Sequence, residues 1–129
     1  TMLRDDQKAA RPAALTTPAA VNNENEIIAR APDYIGNHVY ERLSVATVAS
    51  GANVSASYLT ALFHKCMQIS PGEYIRRIKL EESKKLIREG KMNFTQIAAQ
   101  LQYSTVHHFS RQFKEKFGLT PTEYARAIR

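Results

Sequence analysis

Much of this chain is written twice, and that repeat limits the fold more than any single motif. Placing Val48-Ala49 over Ile97-Ala98 brings Val54-Ser55 over Tyr103-Ser104. After one extra residue in the second copy, Tyr58-Leu59 meets His108-Phe109, and the register then holds. Phe63 meets Phe113, Met67 meets Phe117, Ile69 meets Leu119, and Pro71-x-Glu73-Tyr74 meets Pro121-x-Glu123-Tyr124. Apolar and helix-capping positions that recur together in one register call for the same local unit twice.

The stretch from Ser70 to Gly90 lies between the copies and reads as one long helix. Ser70 caps the first turn, Pro71 supplies a fixed φ at the first helical position, and Glu73 completes a capping box. Gly90 offers the stop. At about 100° per residue, Tyr74, Ile75, Ile78 and Leu86 fall on one arc, and Leu80, Ser83 and Ile87 on a second, so the helix has two partners. Ser83 reads as an exposed point on the weaker arc. Arg77, Glu81, Lys84 and Arg88 share the remaining face, spaced for i,i+4 pairing in water.

In chain order, residues 1–21 carry Pro12 and Pro18 with no apolar periodicity, and are expected to form a flexible tail or linker. Ile27, Ile28, Ala31, Ile35 and Val39 recur at helical spacing, which predicts a first helix over 22–42. Pro32 should kink it or delay its start to Asp33, because proline inside a helix costs about 3 kcal/mol. Ser44 caps a short helix from Val45 to Gly51, and Ser55 a longer one from Ala56 to Met67, with a tight turn at Ala52-Asn53-Val54. The pattern returns with Asn93 and Gln96 capping Phe94 to Leu101, a turn at Gln102-Tyr103, and Ser104 opening a helix to Phe117. Thr120, Pro121 and Glu123 then start a terminal helix through Ile128. Each copy thus has the short helix, tight turn and longer helix of a helix-turn-helix. The expected fold is all-α, with two helix-turn-helix subdomains joined by a long shared helix. The expected divisions are a tail at 1–21, a first subdomain at 22–69, a connecting helix at 70–90 and a second subdomain at 91–129.

Charge narrows the partners. Residues 1–43 carry 5 Lys/Arg against 6 Asp/Glu, and residues 44–129 carry 13 against 6, out of a net +6. A basic globular half points to a polyanion, nucleic acid or an anionic membrane surface, or else to a plain solvated basic surface, and charge alone does not choose between them. Cys66 is the single cysteine, so an internal disulfide is excluded, and it reads as helix packing in a reducing compartment. No apolar run approaches the ~20 residues that span a bilayer, and no signal-peptide core is present, so the expected location is cytoplasmic.

On these residues the chain resembles the AraC/XylS family of transcription regulators, over about 25–129. The most specific part is the second copy: Ile97-Ala98-x-x-Leu101, His108-Phe109-Ser110-Arg111-x-Phe113-Lys114, and Gly118-x-Thr120-Pro121-x-x-Tyr124. The first copy, with Tyr58-Leu59-x-x-Leu62-Phe63-x-Lys65 and Ser70-Pro71-x-x-Tyr74, is a weaker match. The resemblance implies a two-unit DNA-binding domain of an activator, with RNA polymerase as a partner and an effector or dimerisation domain absent from this chain. Departures from the family pattern are Asn53 and Gln102 where glycine is common in the turns, Gln68 for glycine after the first recognition helix, and Ala61 at the position matching Arg111. The turn at Gln102 should carry mild strain, since Gln accepts positive φ less readily than Asn.

In the second recognition helix, Phe109, Phe113 and Phe117 line the core side. The opposite face carries His107, Ser110, Arg111 and Lys114, with Val106 at its edge. Arg111 suits guanine O6 and N7, Ser110 and His107 suit base edges or phosphate, and Val106 suits a thymine methyl. Lys114 suits phosphate. The same face of the first recognition helix offers Ser57, Thr60, Ala61 and His64, with Lys65 beside it, and has fewer strong donors. His108 reads as packing or phosphate contact. The connecting helix, at ~1.5 Å per residue, spans ~30 Å, close to the ~34 Å between successive major grooves on one face of B-DNA. If the helix is shorter than the groove repeat on straight DNA, either the DNA bends or one unit docks weakly, and the poorer first stripe points to weak docking of the first unit.

The expected activity is sequence-specific double-stranded DNA binding. Two rivals share the basic helical pattern: an architectural DNA binder of low sequence preference, and a helical protein-interaction module. Nothing in the sequence suggests an enzyme, since phosphate-cradling glycines, paired carboxylates and a Ser/His/Asp set are all lacking. The four histidines and Cys66 have no zinc-site spacing, so neither a metal nor a cofactor is expected.

Overall fold

Two small hydrophobic cores, threaded on one long helix, organise the molecule. The computed structural model describes residues 18–129, with side chains from Asn23 onward. Among these residues the elements are α1 (Pro18–Asn37), α2 (Val45–Gly51), α3 (Ala56–Met67), α4 (Pro71–Glu89), α5 (Phe94–Gln100), α6 (Val106–Phe117) and α7 (Pro121–Ala127), with no strand. The tail expected over 1–21 lies outside the described residues as far as residue 17, and its last residues open α1.

Side-chain caps set the helix starts. The Ser44–Thr47, Asn93–Gln96 and Thr120–Glu123 boxes each satisfy two amide groups reciprocally. Ser70 Oγ accepts from the Glu73 amide at 3.1 Å, but the expected box stays half-made because the Glu73 carboxylate turns to Arg76 instead. Thr105, not Ser104, caps α6, accepting from the His108 amide at 3.0 Å. The extra residue of the second copy is absorbed there, which moves the cap by one place.

Helix α1 runs through Pro32 without stopping and ends at Asn37, short of the expected Arg42. Ile27, Ala31 and Ile35 on either side of the proline are all buried, and that burial outweighs a proline cost of about 3 kcal/mol. The His38 ring closes the helix, with Nδ1 2.8 Å from the Tyr34 carbonyl and its plane stacked on Tyr34.

The first core joins Ile27, Ala31 and Ile35 of α1 to Val48, Leu59, Leu62, Phe63 and Ile75. The second joins Leu80, Leu86 and Ile87 of α4 to Ile97, Leu101, Phe109 and Phe113. Val39, in the chain segment preceding α2, is buried in this second core.

Helix α4 does have two partners, but they divide it along its length and not around its girth. Tyr74 and Ile75 serve the first core and Leu80, Leu86 and Ile87 the second, while Ile78 touches both. Leu86 therefore leaves the arc it was expected to share with Ile75. Ser83 is fully buried, not exposed, and its hydroxyl donates to the Leu80 carbonyl at 2.6 Å. The charged face departs from i,i+4 pairing too. Among the described residues the ion pairs within α4 are the i,i+3 pairs Glu73–Arg76 and Glu82–Lys85, while the Lys84 ammonium sits 4.4 Å over the Phe117 ring and Arg88 donates to the Tyr124 hydroxyl at 3.0 Å. These cations cover aromatic surface of the second unit. Cys66 is exposed and fills no core.

The two interhelical turns close alike. Asn53 and Gln102 hold φ of 60° and 67°, and each is followed by an amide that reaches back, Val54 to Ala49 O at 3.0 Å and Tyr103 to Ala98 O at 2.9 Å. Gln68 takes the left-handed C-cap of α3 at φ 62°, where Gly118 ends α6 at φ 79°.

Candidate nucleic-acid interface

Helix α6 is held by one wall of aromatic rings. Phe109 and Phe113 are fully buried with ring centroids 5.8 Å apart, Phe117 continues the series at 4.7 Å, and Tyr103 meets Phe109 at 5.5 Å. With that face fixed, the opposite face is presented to solvent. His107, Arg111 and Lys114 are exposed there, with Ser110 and Val106 half-buried at the margin. Ser110, Arg111 and Lys114 line one shallow depression together with Glu115 and Thr120. Among the described residues none of the side chains of His107, Ser110, Arg111 and Lys114 is engaged in a hydrogen bond or an ion pair with the protein. Their donors point outward unsatisfied by protein, as a surface for polar base edges and phosphates requires.

His108 is placed differently. It packs edge-on against Tyr103 at 5.4 Å, and Gln112 Nε2 lies 3.0 Å from its Nε2. Tyr103 is half-buried, its hydroxyl has no hydrogen-bond partner among the described residues, and burial pushes its pKa up to about 12. It stays neutral and serves as part of the wall.

Helix α3 is built on the same plan, with Leu59, Leu62 and Phe63 buried. Its outward face carries Ser57, Ala61 and His64 exposed and Thr60 half-buried. Lys65 is exposed but paired, its Nζ 3.1 Å from Glu24 Oε1 on α1, and the hydrogen bond to that carboxylate raises its pKa. The two stripes thus occupy equivalent faces but differ in content. The second presents two unpaired permanent cations, and the first presents none.

Lys79 was not anticipated in the sequence. It lies between Ile78 and Leu80 and is buried, with three backbone carbonyls as its hydrogen-bond partners. The only signal was its place between two core residues. Among the described residues no group of three or more His, Cys, Asp or Glu could hold a metal ion, and no helix is long and apolar enough to cross a membrane.

Comparison with known proteins agrees with this arrangement. Residues 48–127 match the family model of a helix-turn-helix domain of AraC type. The chain is 35% identical over 97 residues to "Probable transcriptional regulator LumQ" of Photobacterium leiognathi, covering 75% of this chain and 39% of that protein. It is 30% identical over 100 residues to the lactose operon transcription activator of Staphylococcus xylosus, covering 78% and 36%. The chain therefore spans about two fifths of the length of these curated relatives. Among solved structures, the C-terminal domain of AraT, a response regulator from Geobacillus stearothermophilus, superposes with a TM-score of 0.74 at 31% identity, covering 78% of this chain and 84% of that one. The repeat, the two outward-facing helices and these likenesses agree: the chain belongs to the AraC-type helix-turn-helix family of DNA-binding transcription regulators.

Proposed function

We propose that a single copy of this domain reads two adjacent major grooves, with α6 as the principal reader and α3 as the weaker one, in a protein that activates transcription. The observation that carries the reading is the unpaired stripe His107, Ser110, Arg111 and Lys114 standing opposite the buried Phe109–Phe113 wall. Val106 borders it, and Ser57, Thr60, Ala61, His64 and Lys65 form its poorer counterpart. Helix α4, with 19 residues, is about 28 Å long, which suits the groove repeat of about 34 Å. The proposed units are residues 22–69 and 91–129, joined by 70–90. The name of the Staphylococcus relative supports activation, and RNA polymerase as a partner and a cytoplasmic site of action are part of the same proposal. The matched stretch is only 39% and 36% of these two relatives, which supports an effector or dimerisation domain in the whole protein.

Selection of bound sites from a random DNA pool tests this. A defined motif is expected, sharper in the half read by α6. Arg111→Ala should then cost about 1–3 kcal/mol on the selected site and relax one base pair, whereas Lys114→Ala should weaken all sequences alike and lower the salt slope by about one. An unchanged consensus for Arg111→Ala would remove the base-reading role, and a pool that yields no motif would favour an architectural binder.

A further inference from the structure

The loop between α1 and α2 belongs by sequence to the first unit, yet the second unit grips it. Val39 is buried in the second core. Gln102, in the turn between α5 and α6, donates from Nε2 to the Tyr40 carbonyl at 3.2 Å, and the Tyr40 hydroxyl donates to Glu82 on α4. At the centre stands Lys79 of α4, 7% exposed. Its ammonium donates to Val39 O at 2.7 Å, Glu41 O at 2.9 Å and Leu101 O at 2.9 Å. Two of these carbonyls come from the loop and the third from the C-cap of α5.

An ammonium has three N–H donors, and here each has its own carbonyl. The α5 terminus adds the partial negative charge of a helix C-terminal end. No carboxylate is among the partners, so the charge is buried without a counter-ion. Stability alone does not account for such a group, since an apolar side chain of similar volume fills a core at lower desolvation cost. What the three bonds do provide is geometry. They can all be made only when the loop of the first unit and the turn of the second stand in one relative placement.

We infer that Lys79, assisted by Gln102, is the positioning residue that fixes the rotation of one recognition helix relative to the other. Helix α4 then sets their separation, and the Lys79–Gln102 clamp sets their angle. The consequence for DNA rests on the two-groove reading proposed above, but the geometry itself can be measured without DNA.

The experiment uses the chain with Cys66→Ser, so that the exposed native thiol is silent, and spin labels at Ala46 on α2 and Thr95 on α5, both exposed. Pulsed dipolar spectroscopy should give one narrow distance distribution for the parent and a broadened one for Lys79→Met and for Gln102→Asn. Asn keeps the tolerance for positive φ at that turn but is too short to reach Tyr40. In unlabelled protein, both variants should lose about tenfold affinity for the selected two-part site while keeping parental affinity for the isolated half-site read by α6. Folded variants with unbroadened distances and unchanged two-part affinity would overturn the inference. If Lys79→Met does not fold, Gln102→Asn, whose side chain is exposed, decides by the same readings. Broadened distances together with a parent that never engages both halves would uphold the clamp and refute the two-groove reading instead.

Discussion

Gln68 and Gln102 hold left-handed backbone where only glycine is free of strain. A non-glycine residue there costs roughly 1–2 kcal/mol, and the exposed Gln68 side chain has no hydrogen-bond partner among the described residues to offset it. Gln68→Gly should therefore raise unfolding stability by about 1 kcal/mol, read as a higher urea midpoint at unchanged slope. The strain at Gln102 was legible from the family resemblance, which places glycine commonly in that turn, and the same resemblance marked Gln68 as standing in for a glycine. Lys79 was not legible, since nothing local separates a buried ammonium from a solvated one until the carbonyls of residues 39, 41 and 101 converge on it. Burial pushes its pKa down to about 8 from an ordinary 10.5. The folded state thus binds this proton less tightly than the unfolded chain, so the Lys79 contribution to stability grows as pH rises from about 8 to 10.5. Tyr40 and Tyr103 oppose this above pH 10, since both are raised to about 12, Tyr40 by its hydrogen bond to Glu82 and Tyr103 by burial. The stability of the native chain minus that of Lys79→Met should be flat below pH 7 and climb between 8 and 10.5. A flat difference across that window would show that the ammonium is not desolvated.

Recognition helices α3 and α6 occupy matched positions, and their different content is a matter of side chains, not of fold. The apolar period predicted both helices, both core faces and both outward stripes. It could not show that Lys65 is held back by Glu24, because that partner lies 41 residues away in sequence, nor that Cys66 points outward. Restoring a planar cation to the poorer helix is the direct test of its docking. Ala61→Arg should raise affinity and add a preferred base in the weaker half-site, measured by repeating the site selection. No change in affinity or motif would mean that α3 does not enter its groove. The aromatic wall makes a separate stability prediction. Phe113→Ala removes a fully buried ring and should cost about 3–5 kcal/mol, read by chemical denaturation.

At the scale of the whole molecule, the sequence supplied two units and a connector but only one connection between them. The second, through residues 39–41, was hidden because the expected first helix ran on to Arg42, across the segment that instead leaves α1 at Asn37 and crosses to the other unit. Ser83 likewise cannot serve as an exposed point for breaking α4, since it is buried and bonded to Leu80. Glu81 is exposed at mid-helix, and Glu81→Pro should break the connector at about 3 kcal/mol while leaving the base-facing residues untouched. The central claim is that one folded copy presents two readers at a fixed separation. Hydroxyl-radical footprinting of the monomer on its selected site tests it most directly. Two protected segments on one face of the duplex, about 34 Å apart, are predicted for the native chain, contracting to the α6 half-site in Glu81→Pro. Protection of one segment alone by the native chain, or of two only at concentrations where it dimerises, would contradict the account.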